Sequence, residues 1–281
     1  MRRALVRRKT KNISVIFAIF LGVTILVGVQ ITSQTLSETF LTSLLVSQGE
    51  NDLVVTPSTQ GAYFNSSDLS VVENFTSNIH LTADGKNYTF TKPLGVMGVL
   101  TTNGPIIYGS QFEAGTDFFG INSNYSRSFG YFYDWKTGSA LQINKLLGNG
   151  SVIISSELAT NLAIQQNNYT TPFTIETQFT NLVYNITLKT LVPQLFDVNL
   201  SVKAIFNSNR PGIGALHNNI GRVVFDLANL QNYTKGINNG ALDRISAFYV
   251  CYKTNHFTTG EFPLAVYEGL VNKTRLSFIL A

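Results

Sequence analysis

The chain is poor in charge and has almost no cysteine. Only 13% of its 281 residues are Asp, Glu, Lys or Arg, whereas soluble globular domains average roughly 25%. The single cysteine excludes a disulfide framework and a cysteine-based zinc cluster. Hydrophobic residues make up 44% of the chain and include 20 Phe and 12 Tyr. This composition supplies a large core, so it excludes a wholly disordered chain and is unlike that of an ordinary cytosolic protein.

Positive charge is concentrated at the N-terminus. The net charge is +4, but six of the 20 basic residues lie in the first eleven positions, and the first acidic residue is Glu38. These six are Arg2, Arg3, Arg7, Arg8, Lys9 and Lys11. From residue 12 onward the chain has 14 basic and 16 acidic residues, a balance of −2. A nucleic-acid-binding domain spreads its basic surface over the fold, so we expect no nucleic-acid partner.

An uncharged apolar run follows this basic leader of residues 1–12. It extends over 19 residues, from Ile13 to Ile31. At about 1.5 Å per residue, a helix of that length crosses about 30 Å of hydrocarbon. The sequence therefore predicts a transmembrane helix over 13–31, in contact with membrane lipid. Because basic residues stay on the cytoplasmic side, we expect the N-terminus in the cytoplasm and the remainder outside.

The apolar run has two alternative interpretations. A cleaved signal peptide would need small residues at an A-x-A-like site, and VGVQITSQTLSE has none. A type IV pilin-like leader fits less well, because no Gly-type processing site precedes the run.

Helical spacing continues beyond the run. The apolar positions are Leu36, Phe40, Leu41, Leu44 and Leu45. They predict an outer helical extension over 32–47 that forms a stalk continuous with the membrane helix. The alternative is an amphipathic segment lying on the outer domain.

Acceptor triplets for N-glycosylation are more numerous than composition predicts. Eleven N-x-S/T triplets occur, against about five expected by chance from the Asn, Ser and Thr content. Ten follow the apolar run, at Asn65, Asn74, Asn87, Asn124, Asn149, Asn168, Asn185, Asn199, Asn232 and Asn272. A general richness in these residue types explains part of the excess. The remainder predicts a glycosylated surface on an extracytoplasmic domain.

Residues 48–281 are predicted to form this outer domain, with an α+β fold. Leu53 to Thr56 reads as a first strand. Residues 58–150 read as short strands with long loops, including Tyr88–Thr91, Leu94–Leu100 and Ile106–Tyr108. The aromatic segment 130–138 (GYFYDWKTG) is more typical of a packed loop than of a sugar-binding or partner-binding surface.

The second half predicts two strand–helix–strand units. In the first, Ser151–Ile154 precedes a helix capped by Ser155 or Ser156, whose apolar face is Leu158, Ala159, Leu162 and Ala163. Two runs of period 2 follow, Phe173 to Phe179 and Leu182 to Leu188, and predict an antiparallel pair. In the second unit, Val223–Phe225 leads through the cap Asp226 to a helix ending at Gln231, and then to a strand over Ile245–Val250.

No pattern in the sequence indicates catalysis. The three histidines are His80, His217 and His256, and they form no metal-binding spacing; neither a nucleophile elbow nor a phosphate-binding lysine loop occurs. The glycine-rich segment 210–221 reads as a surface loop, and Cys251 as a buried, inert thiol. We expect no catalytic, cofactor-binding or metal-binding residues, and not an enzyme.

The order of these features resembles a known family. RRKTKN runs into FLGVTILVGVQ; then come GENDLVV, GSVIISSELATNLAI, NLVYNITLKTLVPQ, RVVFDLANLQ and ALDRISAFYV. This order is similar to the N-terminal half of FtsX-like, MacB-type ABC transporter permeases, which consists of a membrane helix and a MacB-like periplasmic core domain. The resemblance covers most of the chain and is weakest between residues 58 and 130.

The resemblance implies a permease subunit that works as a homodimer or paired permease with a cytoplasmic P-loop ATPase. In such systems, ATPase motion moves the membrane helices, and the outer domains act as levers that expel substrate, extract lipid or lipoprotein, or regulate a partner. The resemblance also implies a two-part outer domain, whose variable second part would fall at about 58–130.

Members of the family have three further membrane helices, whereas this sequence ends at RLSFILA. The expectation is therefore a truncated permease, a gene fragment or a stand-alone anchored domain. The alternative function, from a different class, is a single-pass glycosylated envelope or adhesion protein.

Overall fold

A computed structural model describes residues 20–32, 52–59, 62–83, 85–122, 129–164, 171–208, 222–235, 243–252 and 269. The chain divides into two units, Met1–Leu44 and Leu45–Ala281. Within the first unit, residues 20–32 form helix α1, where Thr24 and Thr32 donate hydroxyl hydrogen bonds to carbonyls four residues earlier. In the part of the chain that the structure describes, no helix has the length and apolar character needed to cross a membrane. The basic leader and residues 33–47 of the predicted extension lie outside the described residues.

The described part of the second unit contains ten strands and four helices. The strands are β1 (Leu53–Val55), β2 (Ile79–Ala83), β3 (Lys86–Phe90), β4 (Gly95–Tyr108), β5 (Gln111–Ile121), β6 (Ser151–Ser155), β7 (Phe173–Asn185), β8 (Thr190–Phe206), β9 (Arg222–Asp226) and β10 (Ala247–Cys251). The helices are α2 (Asp68–Phe75), α3 (Ile143–Leu146), α4 (Ser156–Asn161) and α5 (Leu227–Thr234). The mixed, strand-rich α+β fold predicted from the sequence is confirmed.

Eight strands form one curled sheet, in the order β1-β10-β4-β5-β9-β6-β8-β7. Strand β4 also pairs with β7, at Ile106↔Thr177 and Ile107↔Glu176, so six of the strands close into a ring. The parallel pairs are β5–β9 and β6–β8, and the other pairs in the sheet are antiparallel. Strands β2 and β3 form a separate hairpin.

Both faces of the sheet are buried. One face packs on α4 and α5, with Phe118 and Phe225 against Leu158 and Leu230. The other face is covered by residues 129–147. A third cluster joins β1 and β10 to α2 and the β2–β3 hairpin. Burial on both faces explains why β6, β9 and β10 are continuous apolar runs rather than alternating ones.

The two strand–helix–strand units form where the sequence predicts them. Ser155 caps α4, and its Oγ accepts the Leu158 amide at 3.1 Å. Asp226 caps α5, and its Oδ1 accepts the Ala228 amide at 3.1 Å. Helix α5 continues three residues beyond the predicted end at Gln231. The predicted helical face of the first unit is wrong at Ala163, which is exposed with φ +51° beyond the helix, and Ile164 is buried instead.

The predicted pairing of the two alternating runs is wrong. The first run and the beginning of the second lie on β7, whose partner is β8 in the register Phe173↔Val202 to Asn185↔Thr190. The chain reverses at residues 186–189, because Asn185 Oδ1 accepts the amides of Thr187 and Leu188 and Lys189 adopts φ +50°. Ile186 and Leu188, predicted to face a core, are consequently exposed in the turn.

The short strands predicted for residues 58–150 are also corrected. Leu94–Leu100 and Ile106–Tyr108 belong to the single 14-residue strand β4, which a β-bulge at Gly104/Ile106 bends without ending it. With β5 it lies at the centre of the sheet, between β10 and β9. These strands therefore lie between the two strands of the second strand–helix–strand unit, and the two units meet where β9 pairs with β6.

Candidate functional site

The predicted topology residues lie outside the described part of the chain. They are Arg2, Arg3, Arg7, Arg8, Lys9 and Lys11. The same holds for three predicted glycosylation sites, Asn124, Asn168 and Asn272. The loop at 210–221 and the histidines His217 and His256 are outside it as well.

Seven predicted glycosylation sites fall on described residues. Those with exposed asparagines are Asn65, Asn74, Asn87, Asn149, Asn199 and Asn232, and Asn185 is half-buried. A glycan on any of the seven would therefore reach solvent without entering the core. Glycosylation itself stays a prediction.

Two of these triplets have a buried hydroxyl in the folded domain. Thr76 and Thr234, the third residues of the Asn74 and Asn232 triplets, donate to the carbonyls of Val72 and Leu230 at 2.7 and 2.8 Å. A glycosylating enzyme would have to act on these sites before the helices form. In contrast, the Asn185 triplet forms the exposed turn between β7 and β8.

The aromatic segment 130–138 is a packed loop, as predicted. Phe132 is buried against Phe206, with ring centroids 4.8 Å apart, and Trp135 packs against the core beside α4 and α5. The Trp135 amide donates to the Ile205 carbonyl at 2.9 Å. The aromatic side chains thus fix the loop to β8.

A cavity of about 420 Å³ lies on the sheet face that residues 129–147 cover in part. It crosses five neighbouring strands, from β1 through β10, β4 and β5 to β9. Its floor includes Phe119, Arg222 and Tyr249, each no more than 5% exposed. Thr101 and Asp117 lie at its more accessible rim. A volume of this size is within the range of small-molecule sites, about 300–1,000 Å³.

Arg222 is the buried cation of this cavity. Its guanidinium carbon lies 5.9 Å from the Phe119 ring centroid, and Asp117 is its register partner on the parallel strand β5. Burial lowers the pKa of Arg222 to about 10, and the negative charge of Asp117 is the largest effect opposing that shift. The Arg222 amide donates to Ser155 Oγ at 3.0 Å. The same serine therefore caps α4 and fixes the start of β9.

The charge of Arg222 also affects the pKa of a second carboxylate, Glu157. Partial burial raises the pKa of Glu157, at the start of α4, and the positive charge of Arg222 opposes that rise. The guanidinium thus acts on carboxylates from two elements, β5 and α4.

The cavity is lined by several hydrogen-bonding side chains. Its polar side chains are a guanidinium, a carboxylate, a phenol and the hydroxyls of Thr56, Thr101 and Ser246. Among the described residues no cluster of His, Cys, Asp or Glu has metal-binding geometry. Cys251 is buried, as predicted, and His80 is exposed with its Nδ1 3.1 Å from Thr89 Oγ1. Sequence reasoning missed Arg222 and Asp117; the available signal was a charge at the first position of the apolar strand RVVFD.

The outer half of the β7–β8 hairpin projects from the sheet. In β8, the residues from Thr190 to Leu195 are exposed or half-buried. Ile186 is 83% exposed, Leu188 63% and Leu195 62%. Because apolar side chains at such exposure gain nothing in the isolated domain, this hairpin is a candidate contact surface.

Comparison with known proteins finds similarity of structure alone. No protein-family model and no curated protein matches the chain. The periplasmic region of MacB from Actinobacillus actinomycetemcomitans is similar at 13% identity and a TM-score of 0.42, with 81% of this chain and 82% of that chain covered. The extracellular domain of the noncanonic ABC-type transporter YknZ from Gram-positive bacteria is similar at 12% identity and a TM-score of 0.40, with 78% and 92% covered.

Proposed function

We propose that this chain is the extracytoplasmic domain of an ABC-type permease subunit, tethered by a transmembrane helix over residues 13–31. The observation that carries the proposal is the pair of strand–helix–strand units. Both form within one sheet, with Ser155 and Asp226 as helix caps. They correspond to the patterns GSVIISSELATNLAI and RVVFDLANLQ, on which the family resemblance rests.

In this function the domain acts as a lever between the membrane and a substrate or partner. A lever must move as one body, and the ring of six strands suits that requirement because every strand in it has two neighbours. The motion would come from a cytoplasmic P-loop ATPase and would serve export, lipid or lipoprotein extraction, or regulation of a partner. The chain's own role is mechanical, and ATP hydrolysis belongs to the separate subunit.

Affinity purification of the full chain from membranes of its native cells tests the proposal. We expect an ABC-type ATPase to co-purify in a stoichiometric amount and to be identified by mass spectrometry. A protease-accessibility assay on the same membranes should find residues 48–281 on the outer side. Recovery without any ATPase, or a protected outer domain, would contradict the proposal.

A second candidate is a single-pass glycosylated envelope or adhesion protein. The observation that favours it is the exposure or half-burial of all seven described glycosylation asparagines. Peptide mapping of the native protein distinguishes the two. Dense occupancy together with co-purified envelope proteins favours this candidate, whereas unmodified asparagines remove its support.

A further inference from the structure

The outer half of β7 presents an unpaired strand edge. Among the described residues, β7 pairs with β4 only at Glu176 and Thr177, while its pairing with β8 continues to Asn185. Residues 180–185 therefore carry β8 on one side and no described strand on the other. Such an edge is a template for pairing with another chain unless it is protected.

Two observations show which backbone groups of β7 point to this edge. Proline is tolerated in a strand only where its nitrogen faces away from the ladder, so Pro193 and its register partner Leu182 form a non-hydrogen-bonded pair. The peptide groups of Leu182 then point away from β8. Independently, the Gln178 carbonyl oxygen lies 3.5 Å from where a Cβ on Gly104 of β4 would be, on the same side. With a strand period of two, residues 180, 182 and 184 direct their N–H and C=O groups to the free edge.

The devices that normally protect an edge are absent from this one. Between Thr177 and Leu188 the sequence has no charged residue and no proline. The other edges differ: β1 is only three residues long, with Asp52 directly before it and Pro57 two residues after it, and the free side of β8 carries Pro193 and Asp197. Lys, Pro and short length are the usual protections. The β7 edge is thus the exposed edge best suited to strand pairing in the described part of the sheet.

We propose that this edge pairs with the same edge of a second copy of the chain. In an antiparallel arrangement about a two-fold axis at Leu182, residue 180 of one copy meets residue 184 of the other. All three outward residues then form hydrogen-bonded pairs. Shifting the register by two residues in either direction leaves only two such pairs. The lack of charge favours a second copy, because two like edges meet without repulsion.

The edge-to-edge contact is short, and we expect it between two copies that are anchored in the same membrane. Six residues span about 20 Å at about 3.3 Å per residue, so the edge alone gives a weak dimer. Tethering of both copies in one membrane raises their effective concentration and so favours the contact. This step rests on the membrane anchor of the proposed function, whereas the edge pairing itself does not.

Cysteine cross-linking of the full chain in membranes tests the pairing. The only native cysteine, Cys251, is buried, and the Leu182→Cys variant adds one thiol at the centre of the proposed pair. A hydrogen-bonded antiparallel pair holds its Cα atoms about 5.5 Å apart, within the range of about 4.4–6.8 Å that a disulfide needs. Leu195→Cys, exposed on β8 and one strand further from the axis, is the matched control. We expect about tenfold more disulfide dimer from Leu182→Cys than from Leu195→Cys, because only the former meets this distance.

A proline at a position whose N–H points away from β8 provides the second readout. Tyr184→Pro in the Leu182→Cys background removes an outward N–H and leaves the β7–β8 ladder intact. It should abolish the cross-link without changing the thermal unfolding temperature. Thr180→Pro serves the same purpose if Tyr184→Pro lowers that temperature. Both experiments use a host without N-glycosylation, so that a glycan on Asn185 does not obstruct the edge.

Equal cross-linking of Leu182→Cys and Leu195→Cys, or no dimer from either, overturns the proposal. So does a cross-link from position 182 to a different polypeptide, which would indicate an extended segment of another protein as the partner. Because the host supplies no native ATPase partner, these outcomes are independent of whether the chain belongs to a permease.

Discussion

Arg222 is a buried cation. Burial disfavours its charged form, whereas the negative charges of Asp117 and Glu157 favour it. Its side chain lies over Phe119 on the cavity floor, and its pKa is lowered to about 10 by burial. Removing one member of such a charge pair costs about 3–5 kcal/mol, because the other charge is left without its counter-charge. Its removal should therefore reduce stability.

We expect Arg222→Ala to lower the free energy of unfolding by about 3 kcal/mol. Urea denaturation of the folded domain measures this change, with Lys136→Ala, at an exposed position, as the control. The pKa of Glu157 should rise further in the Arg222→Ala variant, since the arginine charge now holds it down. An unchanged unfolding midpoint would show that the guanidinium makes no net contribution.

Tyr252 makes the stability of the domain depend on pH in the alkaline range. Its hydroxyl donates to the Thr76 carbonyl at 2.5 Å, and burial raises the pKa of its phenol well above the usual value. The unfolded chain ionises this phenol near pH 10, whereas the folded state keeps the proton. The corresponding stability is fully present below that pH and is lost as pH rises towards the folded pKa.

Tyr252→Phe should cost about 1 kcal/mol at pH 7, through the lost hydrogen bond. It should also make stability fall less steeply above pH 10 than in the unmodified protein. Denaturation curves at pH 7 and pH 10.5 test both expectations. Tyr131→Phe, at a half-buried loop position, is the control. Parallel losses in the two variants at high pH would contradict the assignment.

At the scale of elements, the two helix caps differ in what they hold. Ser155 Oγ accepts amides from both α4 and β9, and Ser155 is 2% exposed. Asp226 Oδ1 accepts the Ala228 amide at the start of α5, and Asp226 is half-buried. A buried amide without an acceptor costs about 1–3 kcal/mol.

Ser155→Ala should therefore destabilise the domain by about 2 kcal/mol or more, and Asp226→Ala by about 1 kcal/mol. Urea denaturation measures the loss of unfolding free energy in each variant. The difference between the two losses gives the contribution of the hydrogen bond from the Arg222 amide to Ser155. Equal losses would mean that the bond from β9 to Ser155 contributes nothing. Because both positions are helix caps, loss of capping alone does not produce the difference.

At the scale of the whole molecule, the hairpin extends beyond the body that the core stabilises. Replacing residues 182–193 by Asn-Gly would join Asn181 to Gln194, a hydrogen-bonded pair by the parity argued above, with a two-residue turn. We expect the thermal unfolding temperature to change by less than about 4 °C, which corresponds to roughly 1 kcal/mol in a domain of this size. A larger fall would show that the outer hairpin supports the core.

Patterns in neighbouring residues predicted the two units, their caps and the packed loop at 130–138. Each depends on contacts within a few residues, such as Ser155 to Leu158. The position of the β7–β8 turn was not readable, since Asn181 and Asn185 are both turn formers within an uninterrupted run of period 2. The cavity was not readable either. Asp117 and Arg222 are separated by more than a hundred residues in sequence and meet only because β5 and β9 are parallel neighbours.

The pairing of β1 with β10 has a consequence for synthesis. Strand β1 pairs with β10, and Leu53 lies opposite Val250. Because these residues are far apart in the sequence, β1 leaves the ribosome long before β10 is synthesised. At about 5–20 residues per second, the interval of nearly two hundred residues is about 10–40 s. Throughout that time, the apolar side chains of β1 and the unoccupied side of β4 need some other cover. The last strand of the sheet therefore governs when a newly made copy becomes safe from aggregation.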